Sequence, residues 1–335
     1  MALEHSLILS ETIQWLLESE NPSVRYFTLT DILGKKGITK EVKNAKHNIM
    51  HEGHVPKILD TQHENGYWEL PQKFYTAKYK GTVWQLIILA ELGACGKDPR
   101  IKKACEFILE HSQDLESGGF SVNASSRCGG GRHSEVIPCL TGNMLWSLIK
   151  FGYINDHRIQ KCIEWINTYQ RFDDAIASKP VGWPYDKYET CWGRHSCHMG
   201  VVKTLKALSE IPFDLRSTAT KKSIQAGIEY VLAHHIYKKS HDYDSITKPG
   251  WLKFGFPLMY QTDIVEILNI LLKLECRDKR MQEAVDIVVS KQNERGKWIL
   301  ENTYNGRFQT NIEQKGKPSK WITLNALRVL KYFVI

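Results

Sequence analysis

Cysteine and histidine concentrate in two short segments of this chain. The segments are Cys128–Cys139 (CGGGRHSEVIPC) and Cys191–His198 (CWGRHSCH), and together they hold 7 of the 21 Cys and His residues. Thiolates and imidazoles that converge on one point are typical zinc ligands, and four of them complete a structural site. The two segments therefore predict a zinc site, provided that the fold brings them together.

The same residues have two other interpretations. A lone cysteine is more often a small core residue than a ligand, so the cluster could be inert. It could also be a metal-free site in which Cys and His act as nucleophile or acid/base. If the second segment is helical, Cys191, His195 and His198 share one face at i, i+4 and i+7. The residue types leave the ligand set open among Cys128, His133, Glu135, Cys139, Cys191, His195, Cys197 and His198.

A repeat determines how these segments are positioned. Asp98, Asp156 and Asp278 each begin the pattern D-x-R-[IM]-x-x-[AC], in which the Asp is a plausible helix N-cap. A further copy without the Asp is predicted at 216–231. An apolar stretch precedes each copy, and these stretches are 24–33, 84–92, 144–151, 201–208, 264–274 and 322–332. Each unit is thus predicted to be an apolar helix, a turn, an amphipathic helix and a loop.

About six such pairs, with almost no strand pattern, predict an all-α fold. We expect one domain, residues 1–335, folded as a closed (α/α)6 toroid, because an open solenoid would expose the apolar inner helices to water. The stretch 236–256 is predicted to be a long loop, and 302–320 to cover one end of the ring. Since both Cys/His segments precede inner helices one repeat apart, they should lie side by side at one rim.

A second motif carries a resemblance to a known superfamily. Gln62, Gly66 and Trp68 read Q-x3-G-x-W, as do Gln292, Gly296 and Trp298, and Gln113 begins a weaker copy. The motif resembles the QW motif of squalene-hopene and oxidosqualene cyclases, which share an α/α toroid with the β subunits of protein prenyltransferases. The chain also looks like stand-alone single-toroid members of that superfamily. It lacks the Asp-x-Asp-Asp acid motif and is half the length of two-toroid cyclases, so triterpene cyclisation is not expected.

The prenyltransferase β subunits imply particular zinc ligands. Their zinc is held by a Cys that opens an inner helix and a His in the next repeat, positions similar to Cys139 and His195 here. Their third ligand, an Asp two residues before the Cys, is Ile137 in this chain. The resemblance, with the helical spacing, implies a set of Cys139, Cys191, His195 and His198. A prenyltransferase would also have an α-subunit partner.

Aromatic and acidic residues are candidates for the rest of the site. Residues assigned to the starts of inner helices should face the cavity and contact substrate: Trp84, Trp146, Trp192, Tyr260 and Trp321. Asp263 lies within an apolar stretch and is either a general acid or a helix cap. Tyr185 and Cys197 complete the predicted catalytic residues.

Composition excludes some functions and favours others. The net charge of +8 comes from scattered lysines without a nucleic-acid-binding motif, so nucleic acid is not an expected partner. No run of 18 uncharged apolar residues indicates a transmembrane segment. Eight cysteines without a signal peptide indicate a reducing compartment, hence a cytoplasmic location. The oligomeric state stays open.

These patterns favour an enzyme that acts on a largely apolar, isoprenoid-like small molecule. Zinc at the mouth of an aromatic central cavity would activate a thiol, water or hydroxyl. One alternative is a metal-free lyase or isomerase that uses Cys and Asp as acid and base, for which the α/α-barrel enzyme linalool dehydratase-isomerase is the analogue. The other is a non-catalytic toroid that binds a lipid or a protein and holds a structural zinc.

Overall fold

Fourteen α-helices and one small hairpin make up the part of the chain that the structure describes. In this computed structural model the described backbone runs from residue 2 to residue 333, and the described side chains from residue 9 to residue 333. The helices are α1 (Ala2–Leu16), α2 (Pro22–Phe27), α3 (Lys40–Asn48), α4 (His54–Leu59), α5 (Thr82–Glu91), α6 (Pro99–His111), α7 (Pro138–Lys150), α8 (His157–Tyr169), α9 (Glu189–Trp192), α10 (His198–Ser209), α11 (Thr218–Ala233), α12 (Ile264–Lys273), α13 (Gln282–Ser290) and α14 (Lys320–Leu330). The hairpin pairs β1 (Lys238–Lys239) with β2 (Asp242–Ile246) antiparallel. The all-α prediction is confirmed.

The helices form two concentric rings. The inner helices α5, α7, α10, α12, α14 and α2 contact one another in that order. Phe27, at the end of α2, lies against Gly93 just past α5, and this contact closes the ring. Outside them, α6, α8, α11, α13 and α3 each pack on the inner helix that they follow, while α1 packs on α14. The six predicted pairs are therefore present, and the last pair joins the first and last helices of the chain.

The D-x-R pattern joins neighbouring units of the outer ring. Asp156 caps α8 by accepting the backbone N–H of Arg158 at 2.8 Å. The Arg158 guanidinium also reaches Glu106 of α6, at 2.7 Å. Asp98 and Asp278 cap their segments through the same +2 N–H, again at 2.8 Å. The pattern thus begins three of the outer segments and can tie such a segment to the outer helix before it.

The Q-x3-G-x-W motif joins outer helices to inner ones. The Gln62 side chain donates to a backbone carbonyl at the start of α6, at 3.0 Å. The backbone N–H of Trp68 donates to Thr82 Oγ1 of α5 at 3.1 Å, and Trp298 donates in the same way to Thr323 of α14. The motif therefore has a structural role, because its hydrogen bonds hold neighbouring helices together.

Two segments depart from the repeat. In the copy at 216–231, Ser217 replaces the Asp and caps α11 by accepting the Thr220 N–H at 3.1 Å. The copy itself is a helix, as predicted. The stretch 236–256 lies between α11 and α12, as predicted, but it contains the β1–β2 hairpin, which the sequence does not predict.

The inner helices are not apolar on every face. Glu266, Asn269 and Asn325 line a cavity at the centre of the ring, and Lys203 is fully buried against Glu266. The apolar faces of these helices pack on their neighbours, and polar side chains point to the axis. In the described chain, no helix has both the length and the apolar run needed to cross a bilayer.

Candidate functional site

Helices α7 and α10 touch because two glycines lie in their contact. A Cβ on Gly142 would come within 2.6 Å of the Lys203 carbonyl carbon, and one on Gly200 within 3.0 Å of the Pro138 ring. Only glycine fits backbones packed this closely. The approach brings together the N-terminal ends of both helices, which we call the N-terminal rim.

Three cysteines lie near one another at this rim, though not grouped so that they could hold a metal ion, and form what we call the thiol cluster. Cys139 is the second residue of α7, Cys197 is the N-cap of α10, and Cys191 lies in the short helix α9. Burial, and then the neighbouring charge of Cys197, raise the pKa of Cys139 to about 12. A hydrogen bond with Cys197, together with burial, raises the pKa of Cys191. These two groups are therefore neutral thiols at physiological pH.

Cys197 has the opposite character. The hydrogen bond from Cys191 lowers the pKa of Cys197 to about 6, although burial opposes the shift. Backbone N–H groups in the first turn of α10 and the charge of Lys248 lower it further. The lowered pKa favours the thiolate, the nucleophilic and basic form of cysteine, at Cys197 rather than at Cys139 or Cys191.

Aromatic rings gather beside the thiol cluster around one ammonium group. Lys78 Nζ lies 4.8 Å from the ring centre of Tyr260, 5.0 Å from that of Tyr75 and 5.7 Å from that of Trp84. The hydroxyls of Tyr79 and Tyr260 are 3.5 Å apart. Although burial opposes the shift, the bond with Tyr79 and the charge of Lys78 lower the pKa of Tyr260. Tyr260 is thus a better proton donor than an ordinary tyrosine.

The aromatic group and the thiol cluster adjoin each other. After burial, the strongest influence that raises the pKa of Tyr75 is the charge of Cys139. The segment 302–319 lies over the aromatic group: the Tyr304 ring is 4.1 Å from that of Tyr79, and the Arg307 guanidinium is 5.0 Å from the same ring. This segment covers the N-terminal rim, as the sequence predicts for one end of the ring.

Tyr75, Lys78 and Tyr79 are not among the residues predicted from the sequence. They belong to the run KFYTAKYK at 73–80, directly before the inner helix α5. The two Cys/His segments occupy the equivalent position before α7 and α10. The repeat therefore predicts that this third segment lies at the same end of the ring as the two Cys/His segments.

The four predicted zinc ligands do not meet. The two cysteines of the set lie in the thiol cluster, but His195 is 58% exposed and bonds Asp174 at 2.9 Å. His198 is buried with its ring 4.1 Å from that of Trp251, and burial holds the pKa of His198 well below its ordinary value. Between residues 2 and 333, no three His, Cys, Asp or Glu side chains are grouped so that they could hold a metal ion. The residues present do not fit zinc, and the zinc site stays a prediction.

The remaining candidate ligands have structural partners. His133 Nδ1 bonds Asp114 at 2.8 Å. Glu135 accepts from Arg132 at 2.9 Å. Cys128 is exposed on the 124–131 turn. None of the three joins the thiol cluster.

Asp263 caps helix α12. Its two carboxylate oxygens accept the backbone N–H groups of Glu266, at 2.9 Å, and of Gly255, at 3.0 Å. Burial raises the pKa of Asp263 to about 7. Of the two roles that the sequence leaves open, the geometry favours capping. The catalytic role stays a prediction, although the carboxyl also faces the central cavity.

The central cavity differs from the aromatic cavity expected from the sequence. Its volume is about 570 Å³, and Trp146 is in its wall. The Trp146 indole donates to Glu210 at 3.2 Å, and Lys206 Nζ lies 4.0 Å from the indole ring. The charged residues that line the cavity are Asp31, Glu91, Lys150, Lys206, Glu210, Asp263, Glu266, Lys273, Arg328 and Lys331. The lining is therefore mixed, because the inner helices turn ion pairs toward the axis beside aromatic residues such as Phe27, Trp146 and Phe256.

The other predicted aromatic contacts are packing contacts. Trp192 packs edge-on against Trp165 of the outer ring and against Tyr185. The Tyr185 hydroxyl donates to a carbonyl at the end of α8, at 3.1 Å. Trp321 stacks on Phe256 with ring centres 4.2 Å apart. Of the five predicted substrate contacts, Trp84 and Tyr260 lie near the thiol cluster, and Trp146 lies in the cavity.

The chain is only weakly similar to known proteins. No family model matches the chain, and no curated protein matches it. Among solved structures, the chain is similar to the type II terpene cyclase MstE from Scytonema without ligand, at 15% identity and a TM-score of 0.42, covering 93% of this chain and 87% of that one. A variant of MstE in complex with geranylgeranyl dihydroxybenzoate gives 14% identity and a TM-score of 0.40, covering 93% and 86%. Scores this low carry no argument about activity.

Proposed function

We propose that this protein is an enzyme that uses the Cys197 thiolate for metal-free acid–base chemistry, in the lyase or isomerase class. The observation that carries the proposal is the state of Cys197 at the start of α10, where Cys191 and the helix N-terminus lower its pKa to about 6. A cysteine that is ionised at neutral pH and still partly accessible is characteristic of reactive rather than structural thiols.

Two groups at the rim have complementary proton affinities. The thiolate of Cys197 takes a proton from the substrate, and the phenol of Tyr260, with its lowered pKa, returns one at another atom. Cys139 and Cys191 keep their protons and so leave the negative charge on Cys197. No step requires a metal ion.

The substrate class is also a proposal. The faces of Tyr75, Trp84 and Tyr260 offer a surface for a largely apolar, isoprenoid-like small molecule, and they attract positive charge, as their contact with Lys78 illustrates. A cytoplasmic location remains part of the proposal, supported by the eight cysteines, all of them free thiols.

Alkylation of the intact protein tests the thiolate. Iodoacetamide is added at pH 5 to 9, and labelled peptides are quantified by mass spectrometry. We expect Cys197 to be labelled before Cys139 and Cys191, with a midpoint near pH 6, whereas glutathione in parallel follows an ordinary thiol near pH 8.5. A Cys197 midpoint at or above that of glutathione contradicts the proposal.

Turnover tests the enzyme. The wild type, Cys197→Ser and the matched variant Cys128→Ser, which removes an exposed thiol away from the rim, are incubated with a library of isoprenoid alcohols and acids. Liquid chromatography with mass spectrometry detects isomers or dehydration products. We expect conversion by the wild type and Cys128→Ser, and at least about a hundredfold less by Cys197→Ser, the usual effect of losing an acid–base group. Equal conversion by all three would exclude Cys197 as the catalytic group.

A further inference from the structure

The central cavity opens at the end of the ring opposite to the thiol cluster. Glu91, Lys150 and Lys273 are the last residues of α5, α7 and α12, and Glu210 directly follows α10. All four line the cavity. Cys139, by contrast, is near the first residue of α7. The charged opening and Cys139 are therefore at opposite ends of α7, although the cavity also reaches Asp263 at the start of α12.

Two lysines share one carboxylate on one side of this opening. Glu210 pairs with Lys273, and Lys150 Nζ lies 3.8 Å from the same carboxylate. Although burial opposes the shift, these two ammonium groups lower the pKa of Glu210, so it is ionised. One negative charge faces two positive ones, which leaves this side with one positive charge in excess.

The other side repeats this imbalance. The Arg328 guanidinium donates to the Asp31 carboxylate at 2.9 Å. Lys331 Nζ donates to the backbone carbonyl of Asp31, at 2.6 Å, and among the side chains of residues 9 to 333 it has no carboxylate partner. This side also carries one excess positive charge.

Deeper in the cavity the charges balance. Lys206 pairs with Glu91 and lies 3.0 Å from Glu266, which also accepts from the buried Lys203 at 2.7 Å. Two lysines thus face two glutamates, and the remaining acidic residue of the cavity lining is Asp263. The two excess charges are confined to the opening.

Helix dipoles explain only part of this arrangement. A cation in the last turn of a helix is favourable, which applies to Lys150, Lys273 and Arg328 separately. It does not require them to converge. Burial lowers the pKa of Lys273, its pairing with Glu210 opposes the shift, and the charges of Lys150 and Arg328 add to the lowering, so these cations are close enough to repel one another. Like charges held together around a half-buried opening are stabilised by a bound anion.

We propose that this opening binds a small organic dianion, a dicarboxylate or a phosphate monoester, between the Lys150–Lys273 side and the Arg328–Lys331 side. The rest of the ligand enters the cavity of about 570 Å³, which is within the usual range for a small-molecule site. Trp146, in the cavity wall, provides an aromatic face and an optical reporter of occupancy.

Calorimetry and tryptophan fluorescence test the proposal with defined probes. Succinate represents the dicarboxylates and phenyl phosphate the phosphate monoesters; acetate, succinamide and putrescine are compared at matched ionic strength. We expect saturable binding of at least one dianion and a higher Tm in its presence, since ligand binding stabilises the folded state. Which dianion binds more tightly identifies the class. No saturable binding of either dianion, or tighter binding of putrescine, overturns the proposal.

Variants locate the site. Lys150 and Lys273 are 34% and 43% exposed, so the double substitution Lys150→Gln, Lys273→Gln removes two charges without opening a core cavity. We expect dianion binding at least about tenfold weaker, a normal loss for a charged contact, and no dianion-induced rise in Tm. The control Lys102→Gln, on the exposed face of α6, should match the wild type. Equal dianion binding by the double variant and the control contradicts the assignment.

Discussion

Gly142 of α7 lies against the backbone of Lys203 of α10 so closely that a Cβ on Gly142 would come within 2.6 Å of the Lys203 carbonyl carbon. This contact has two consequences. On one side it brings Cys139 and Cys197 together at the N-terminal rim. On the other it holds Lys203, fully buried, beside Glu266 on the ring axis. The lack of a side chain at Gly142 thus supports both the position of Cys197 and the buried Lys203–Glu266 pair.

Gly142→Ala should weaken both. The added methyl forces α7 and α10 apart, and overpacking of this kind costs about 1–3 kcal/mol of unfolding free energy. Urea denaturation measures that loss, and the alkylation midpoint of Cys197 should rise, because its helix start and Cys191 move. Gly37→Ala is the control, since a Cβ there meets nothing within 4 Å. A Gly142→Ala protein with wild-type stability would mean that the helices are not in contact.

Glu266→Gln should be strongly destabilising. The substitution leaves the ammonium of Lys203 buried without a full counter-charge, which costs about 3–5 kcal/mol in comparable cases. Lys203→Met with Glu266→Gln should recover part of the loss, because the buried charge is gone. Glu229→Gln, which removes an exposed partner of Arg280, should change the urea midpoint little. If the single and double variants were equally stable, the pair would not be coupled.

Asp263 should make stability fall as the pH rises from about 4 to 7. In the unfolded chain this carboxyl releases its proton near pH 4, whereas in the fold its raised pKa of about 7 retains the proton. The stabilisation is therefore complete below pH 4 and is lost as the pH rises through 7, by an amount on the order of a few kcal/mol.

Comparison with Asp263→Asn isolates this group. Both proteins share every other titration, so the difference between their unfolding free energies reports Asp263 alone. We expect the wild type's advantage over the variant to be larger at pH 5 than at pH 8. A difference that grows toward pH 8 would mean that the carboxylate form is the one that the fold stabilises.

Measuring the metal content of the purified protein tests the zinc prediction. Because the four predicted ligands do not meet, we expect protein purified without chelator or added metal to contain well under one zinc per chain. We also expect His195→Ala, whose imidazole bonds Asp174, to leave the metal content unchanged. One zinc per chain that is lost in Cys139→Ser would instead support the zinc prediction, and His195 or His198 would then have to move to reach it.

The repeat could be predicted from the sequence because its signals are local. An Asp N-cap and the apolar face of the helix that follows it both lie within about a dozen residues. Asp98, Asp156 and Asp278 therefore identify the starts of their helices correctly. The neighbouring position of the two Cys/His segments also follows from that frame. The hairpin after α11 has no comparable signal.

The members of the site could not be predicted in the same way. The frame gives which segments meet, but not which side chains within a loop turn inward. His195 and Cys197 are two residues apart, yet one bonds Asp174 at the surface and the other is in the thiol cluster. The buried Lys203–Glu266 pair on the ring axis could not be predicted, because the two residues are far apart in sequence and are paired only when α10 and α12 pack side by side.

The pairing of α1 with α14 gives the ring a seam. The two helices of every other pair are joined by continuous chain. The described contacts that hold this pair include the Lys320–Glu18 ion pair at 2.7 Å and the bond from the Thr12 hydroxyl to the Arg295 backbone carbonyl at 3.2 Å. Shortening either end of the described chain removes half of the same unit and leaves the other half without its cover. The ring should therefore open first where α1 packs on α14. Amide hydrogen exchange should be fastest in these two helices, even though they lie far apart in sequence.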